Sequence, residues 1–123
     1  MPGEFPPKYG ALAHNRMFIL FDHSTPAPLS ACLTGHTVVE ARDRGWERLS
    51  NGDLLDEAER AGFDVLITAD KNMRYQQNLN RRRIALLVLS TPRWPVIRLH
   101  VERIAAALTG ATPGSYVELD LSA

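Results

Sequence analysis

The sequence predicts a single α/β domain built on a mainly parallel sheet that is covered on both faces. Two apolar runs carry this expectation, Val65-Leu66-Ile67 within Phe63–Asn72 and Ile84 to Leu89, because neither has the polar alternation of a half-exposed strand. Stretches of that kind alternate with helix-spaced apolar residues, which implies crossover connections between parallel strands. The third observation is bulk composition. At 123 residues, 45% hydrophobic and 23% charged, the chain can bury a core without disulfide support.

Residues 1–16 hold three prolines and two glycines without apolar periodicity, so a mobile tail is expected there and a single domain over 17–123. Met17-Phe18-Ile19-Leu20-Phe21 reads as the first strand, ending at Asp22-His23-Ser24-Thr25-Pro26, where proline blocks the ladder. Leu29 to Thr34 suits a short helix stopped by Gly35, and His36 to Glu40 a second, β-branched strand. A charged loop over Arg42–Leu49 follows. Ser50 is placed to cap a helix whose first turn carries Asp53, and Leu54, Leu55, Ala58 and Ala61 recur at helical spacing up to Gly62. The third strand ends in Thr68-Ala69-Asp70-Lys71-Asn72, and a polar helical turn and loop run to Asn80. Arg83 to Leu89 is expected as a central strand. Pro92 and Pro95 bracket a break before one amphipathic helix carrying Val96, Leu99, Val101, Ile104, Ala105 and Leu108. After a turn at Ala111–Gly114, Tyr116 to Leu121 alternates as an edge strand.

The only cysteine, Cys32, cannot form an internal bridge and reads as a packed thiol, which fits a reducing compartment and a cytoplasmic location. No apolar run approaches the roughly 20 residues that cross a bilayer, so no membrane partner is expected. Net charge is zero, which argues against coating nucleic acid by bulk electrostatics, yet the charge is unevenly placed. From Lys71 to Arg103 there are eight basic residues and one acid, Glu102. Twelve of the chain's fourteen basic residues are arginine, whose planar fork suits phosphate. A solvated basic face is the plainer account of the same run.

In a parallel sheet all carboxyl ends share one edge. Asp22 after the first strand, Asp70 after the third, and Asp53 at the start of the helix that follows the second are therefore expected on one rim. Three carboxylates there repel one another unless a cation offsets the charge or some are protonated. Hard oxygen donors of this kind suit Mg²⁺ or Mn²⁺. Each aspartate also lies near a helix start, where an acid stabilises by capping alone. There is no glycine-rich phosphate loop, CxxC pair or HExxH segment.

Phe18-Ile19-Leu20-Phe21-Asp22 with Pro26, Gly35-His36-Thr37-Val38, Asn51-Gly52-Asp53-Leu54-Leu55, and Leu66-Ile67-Thr68-Ala69-Asp70-Lys71-Asn72 resemble, in order and spacing, the landmarks of the PIN-like family DUF5615. That family is related to Mut7-C domains and more distantly to VapC-type toxin ribonucleases, and the resemblance covers about residues 17–108. It implies a three-layer α/β/α sandwich with an acidic pocket for Mg²⁺ or Mn²⁺ that cuts RNA phosphodiesters. By position, Asp22, Asp53 and Asp70 take the metal and catalytic roles. Two positions depart from the family pattern. Asn72 stands where a second acid often follows and offers only a carbonyl oxygen, and His23 stands where an acid or amide is common.

The function expected on this basis is a metal-dependent endoribonuclease acting on single-stranded RNA, the toxin-type component of a toxin–antitoxin system. An antitoxin protein and a homodimer are the expected protein partners. Thr68 would orient Asp70, Lys71 and Arg74 would meet phosphate, and Arg81, Arg82, Arg83 and Arg93 would extend the track. Trp46 and Trp94 are candidates for stacking on bases or for packing. The competing reading is a nucleic-acid- or protein-binding module whose acidic rim has weakened, as Asn72 suggests.

Overall fold

The computed structural model describes residues 16–73 and 82–122. The expected tail before Arg16, the polar loop over 74–80, and the basic residues Arg74 and Arg81 lie outside the described residues. Among the described residues there are five strands, β1 (Phe18–Phe21), β2 (Thr37–Glu40), β3 (Val65–Thr68), β4 (Ala85–Leu89) and β5 (Tyr116–Leu119). The α-helices that lie wholly among the described residues are α1 (Asn51–Arg60), α2 (Trp94–Ile97) and α3 (Val101–Thr109), with 3-10 turns at Ala27–Cys32, Ala41–Arg44 and Arg98–His100.

All five strands are parallel, in the order β2-β1-β3-β4-β5. β3 is central, and β4 lies between it and the edge strand β5. Every residue of β3 and β4 is buried, as their unbroken apolar runs require. The pleat divides their side chains between two cores. Ile19, Phe21, Val65, Ile67, Leu87 and Leu89 face one core with Ile97, Ile104 and Leu108 of the C-terminal helices. Leu20, Leu66, Leu86 and Val88 face the other with Leu54, Leu55 and Ala58 of α1. Each large aliphatic side chain buried this way contributes about 1.5–3 kcal/mol.

α1 begins where its capping sequence places it. Ser50 Oγ accepts the Asp53 amide at 3.2 Å, and Gly62, at φ 89°, lets the chain turn back into β3. Its last turn is tied to the amino end of β4, where Glu59 Oε2 accepts the amides of Arg83 at 2.5 Å and Ile84 at 3.2 Å.

Four local expectations change. The helix anticipated at Leu29–Thr34 is a 3-10 turn over Ala27–Cys32, too short to propagate as an α-helix and started by prolines. The loop after β2 begins with a 3-10 turn closed by Gly45 at φ 76°. The single C-terminal helix is split: α2 starts around Pro95, which needs no amide partner in a first turn, and a 3-10 turn at Arg98–His100 separates it from α3. Cys32 is exposed, not packed, because the 3-10 turn points it away from the core. No helix among the described residues is long and apolar enough to cross a membrane.

Candidate active site at the strand-order reversal

β1 is flanked by β2 on one side and β3 on the other, so the chain leaves the carboxyl ends of β1 and β3 at the point where the strand order reverses. A crevice opens there in parallel sheets. The pairing runs one residue past β1, with the Asp22 amide donating to Ile67 O at 3.4 Å. Asp22 and the Thr68–Asp70 segment are thereby held side by side.

Asp22 is 5% exposed and Thr68 is fully buried. Asp22 Oδ1 accepts the Ser24 amide at 3.1 Å and the Ser24 hydroxyl at 2.7 Å. Asp22 Oδ2 accepts the Thr68 hydroxyl at 2.5 Å. Thr25 Oγ1 stands 3.1 Å from Asp22 Oδ1 and 2.7 Å from Ile67 O, and its single proton goes to the nearer carbonyl. The two serine and threonine hydroxyls also accept from the main chain beyond β3, Ser24 Oγ from Ala69 at 2.8 Å and Thr68 Oγ1 from Asp70 at 3.0 Å. One buried network therefore fixes both strand ends. Burying a carboxylate without a cation is costly, and these charge-assisted bonds offset that cost.

Asp70 is half-buried. Its Oδ1 accepts the Asn72 amide at 2.9 Å, and its Oδ2 lies 3.4 Å from Asn51 Nδ2. Asn51 is the first residue of α1, so this contact brings the amino end of α1 to the same rim. Asp53 sits on that first turn, exposed. The elements carrying Asp22, Asp53 and Asp70 thus converge, and among the described residues none of the three is ion-paired. Asn72 contributes its amide, with an exposed side chain.

The donors match Mg²⁺ or Mn²⁺ in chemistry, being hard oxygens at a sheet edge. They are not gathered around one point: no group of three His, Cys, Asp or Glu side chains among the described residues is arranged to hold a metal ion. Asp22 Oδ1 has both lone pairs engaged, which leaves Asp22 Oδ2, the Asp70 carboxylate and the exposed Asp53 as the available donors.

Two cavities flank the rim. One of about 420 Å³ is lined by Asp22, His23, Thr25, Glu40, Arg42 and Glu47. Glu40, which pairs with Arg42 at 3.0 Å, is a carboxylate that reading the sequence passed over. It ends β2 beside Phe21, so the parallel-edge rule that singled out Asp22 and Asp70 applied to it equally. Asn51 was missed for a different reason, since an amide next to a capping serine carries no signal of its own. The other cavity, about 720 Å³, lies at the carboxyl ends of β4 and β5, and Lys71 and Arg93 line it.

The expected basic track is interrupted. Lys71 and Arg93 are exposed at the carboxyl edge, but Arg83 precedes β4 at the amino edge, about 17 Å away along a five-residue strand. Arg82 there is only 14% exposed in its side chain and pairs with Asp56 at 2.9 Å and Glu59 at 3.1 Å, a structural contact of α1 with β4. Trp94 packs on the core, and Trp46 sits edge-on to Phe63 with ring centroids 6.1 Å apart. Comparison of the chain with family models, curated proteins and solved structures gives no match.

Proposed function

We propose that this chain is a PIN-like, three-layer α/β/α phosphodiesterase that cuts single-stranded RNA with Mg²⁺ or Mn²⁺ at the crevice between β1 and β3. The observation that carries the reading is the coupling of Asp22 and Asp70 through the Thr68 hydroxyl, at the strand-order reversal, with neither ion-paired among the described residues. The resemblance of the sequence landmarks supports the same assignment.

Asp22, Asp70 and Asp53 would hold the ion, with Asn72 as an additional oxygen donor. When bound, a divalent ion activates water and stabilises charge on the phosphate. Thr68 and Ser24 hold the Asp22 carboxylate in place, and Asn51 and the Asn72 amide set the plane of Asp70. Lys71, next in sequence to Asp70, meets a phosphate flanking the scissile one. An antitoxin partner and a homodimer are carried by the resemblance alone.

A second reading is a binding module with a weakened rim, favoured by the absence of a gathered three-carboxylate group among the described residues and by Asn72. Incubating the purified chain with mixed single-stranded RNA and DNA in Mn²⁺, Mg²⁺ or EDTA, beside Asp70→Asn, separates the two. Metal-dependent RNA cleavage lost in Asp70→Asn supports the nuclease. Cleavage that persists in EDTA or in Asp70→Asn sinks the metal mechanism, and RNA binding without any cleavage favours the module.

A further inference from the structure

The cavity at the carboxyl ends of β4 and β5 has a composition that a simple phosphate track would not have. Its lining brings together two cations, Lys71 and Arg93, two carboxylates, Glu118 and Asp120, and apolar side chains that include Val96 and Leu119. Carboxylates repel a polyanion, so a groove made only for phosphate would exclude them. They suit a ligand that carries hydroxyl donors beside its phosphate.

The walls are fixed by hydrogen bonds. The Ser90 amide donates to Leu119 O at 3.0 Å, and Ser90 Oγ accepts the Leu121 amide at 2.8 Å, which locks the segment after β4 to the segment after β5. Thr91 Oγ1 accepts the Arg93 amide at 3.2 Å and sets where Arg93 leaves the wall. Asp120 is equally constrained: its Oδ1 accepts both the amide and the hydroxyl of Ser122, at 2.9 and 2.6 Å, and Arg103 holds its carbonyl at 2.9 Å. Asp120 Oδ2 has no hydrogen-bond partner among the described residues. The Ser122 bonds, followed by the fields of Arg103 and Lys71, hold the Asp120 carboxyl below its ordinary range, so it is an acceptor at neutral pH.

We infer that this groove is a ribonucleotide subsite, in which Lys71 and Arg93 take a phosphate, the apolar part of the lining takes a base, and Asp120 accepts a ribose 2′-hydroxyl. A volume of about 720 Å³ holds a nucleotide with its solvent. The 2′-hydroxyl is the group that distinguishes RNA from DNA at one site, and a carboxylate is an apt acceptor for it. Lys71 belongs both to this groove and to the Asp70 loop, so the inference rests on the proposed RNA substrate and names where its neighbouring nucleotide sits.

The test uses the full chain in EDTA, titrated with adenosine and uridine 5′-monophosphates, their 2′-deoxy counterparts and inorganic phosphate, with binding read by calorimetry. Ribonucleotides are expected to bind at least about fivefold more tightly than deoxynucleotides, and phosphate alone more weakly than either. Arg93→Ala, at an exposed position, weakens ribonucleotide binding about tenfold, the loss of one charge-assisted hydrogen bond. Asp120→Asn brings the ribo to deoxy ratio close to one. Equal affinity for the two sugars, no nucleotide binding, or binding indifferent to Arg93→Ala overturns the subsite. RNA cleavage without nucleotide binding would remove the subsite and leave the nuclease standing, whereas nucleotide binding without cleavage would do the reverse.

Discussion

The Thr68 hydroxyl lies 2.5 Å from Asp22 Oδ2, inside a site where both residues are almost completely shielded from water. The same oxygen accepts the Asp70 amide, so a single side chain at the end of the central strand sets the position of two carboxylate-bearing segments.

Thr68→Val keeps the shape and removes the donor. Asp22 Oδ2 then loses its hydroxyl donor while Oδ1 keeps the two Ser24 bonds, at a cost of about 1–3 kcal/mol, seen as a lower urea midpoint with unchanged slope. Thr68→Ser restores most of that loss. If Thr68 acts on the site as well as on the fold, cleavage by Thr68→Val falls at temperatures where the protein is still fully folded.

Asp70→Asn leaves the fold intact, because the residue is half-buried and its Asn72 contact is to a main-chain amide. Under the proposed metal-dependent mechanism, cleavage is expected to fall by about 100-fold or more, the scale for losing a charged metal donor. Asn72→Asp tests, in the opposite direction, the departure from the pattern of the family that the sequence resembles. The added charge lowers the Mn²⁺ concentration needed for half-maximal cleavage, measured by metal titration at fixed RNA.

His36 predicts a dependence on pH. Its Nδ1 accepts the Met17 amide at 3.0 Å, which requires the unprotonated ring. Burial, with a smaller effect from Arg16, holds its pKa below the ordinary 6.5. A histidine depressed in the folded state contributes stability that is complete above its unfolded pKa and is lost as pH falls from there toward the folded value. Urea midpoints for the native chain should therefore drop between pH 7.5 and the acid side of 6. His36→Asn should show a smaller drop over that window.

Arg82 and Arg93 should separate stability from binding. Arg82→Ala breaks contacts with Asp56 and Glu59 and costs about 1 kcal/mol of stability, discounted because Asp56 is half-exposed, without changing affinity for single-stranded RNA. Arg93→Ala does the opposite, weakening RNA binding in EDTA with no shift in the urea midpoint. Fluorescence anisotropy of a labelled oligoribonucleotide beside the denaturation curves checks both.

Much of the architecture was legible because its causes are local. The unbroken apolar runs at Val65–Ile67 and Ala85–Leu89 read as buried strands, and Ser50 with Leu54, Leu55 and Ala58 marked α1 by capping and periodicity. The expectation for the C-terminal helix erred where two signals competed. Proline inside the pattern read as a break, but in a first turn it starts a helix, and the interruption came later at Arg98–His100.

The sequence by itself determined the strands, the capped helix and the edge on which Asp22, Asp53 and Asp70 fall, because apolar period and strand direction are properties of short segments. Only the tertiary structure decided what those side chains face. The Thr68 hydroxyl reaches Asp22, 46 residues away in sequence, and Ser24 Oγ meets the Ala69 amide because β1 and β3 adjoin. The arginines that run together in sequence divide between opposite sheet edges because β4 passes between them. Hydrogen bonds and charge act across space, and the order of strands in the sheet sets which distant residues they join.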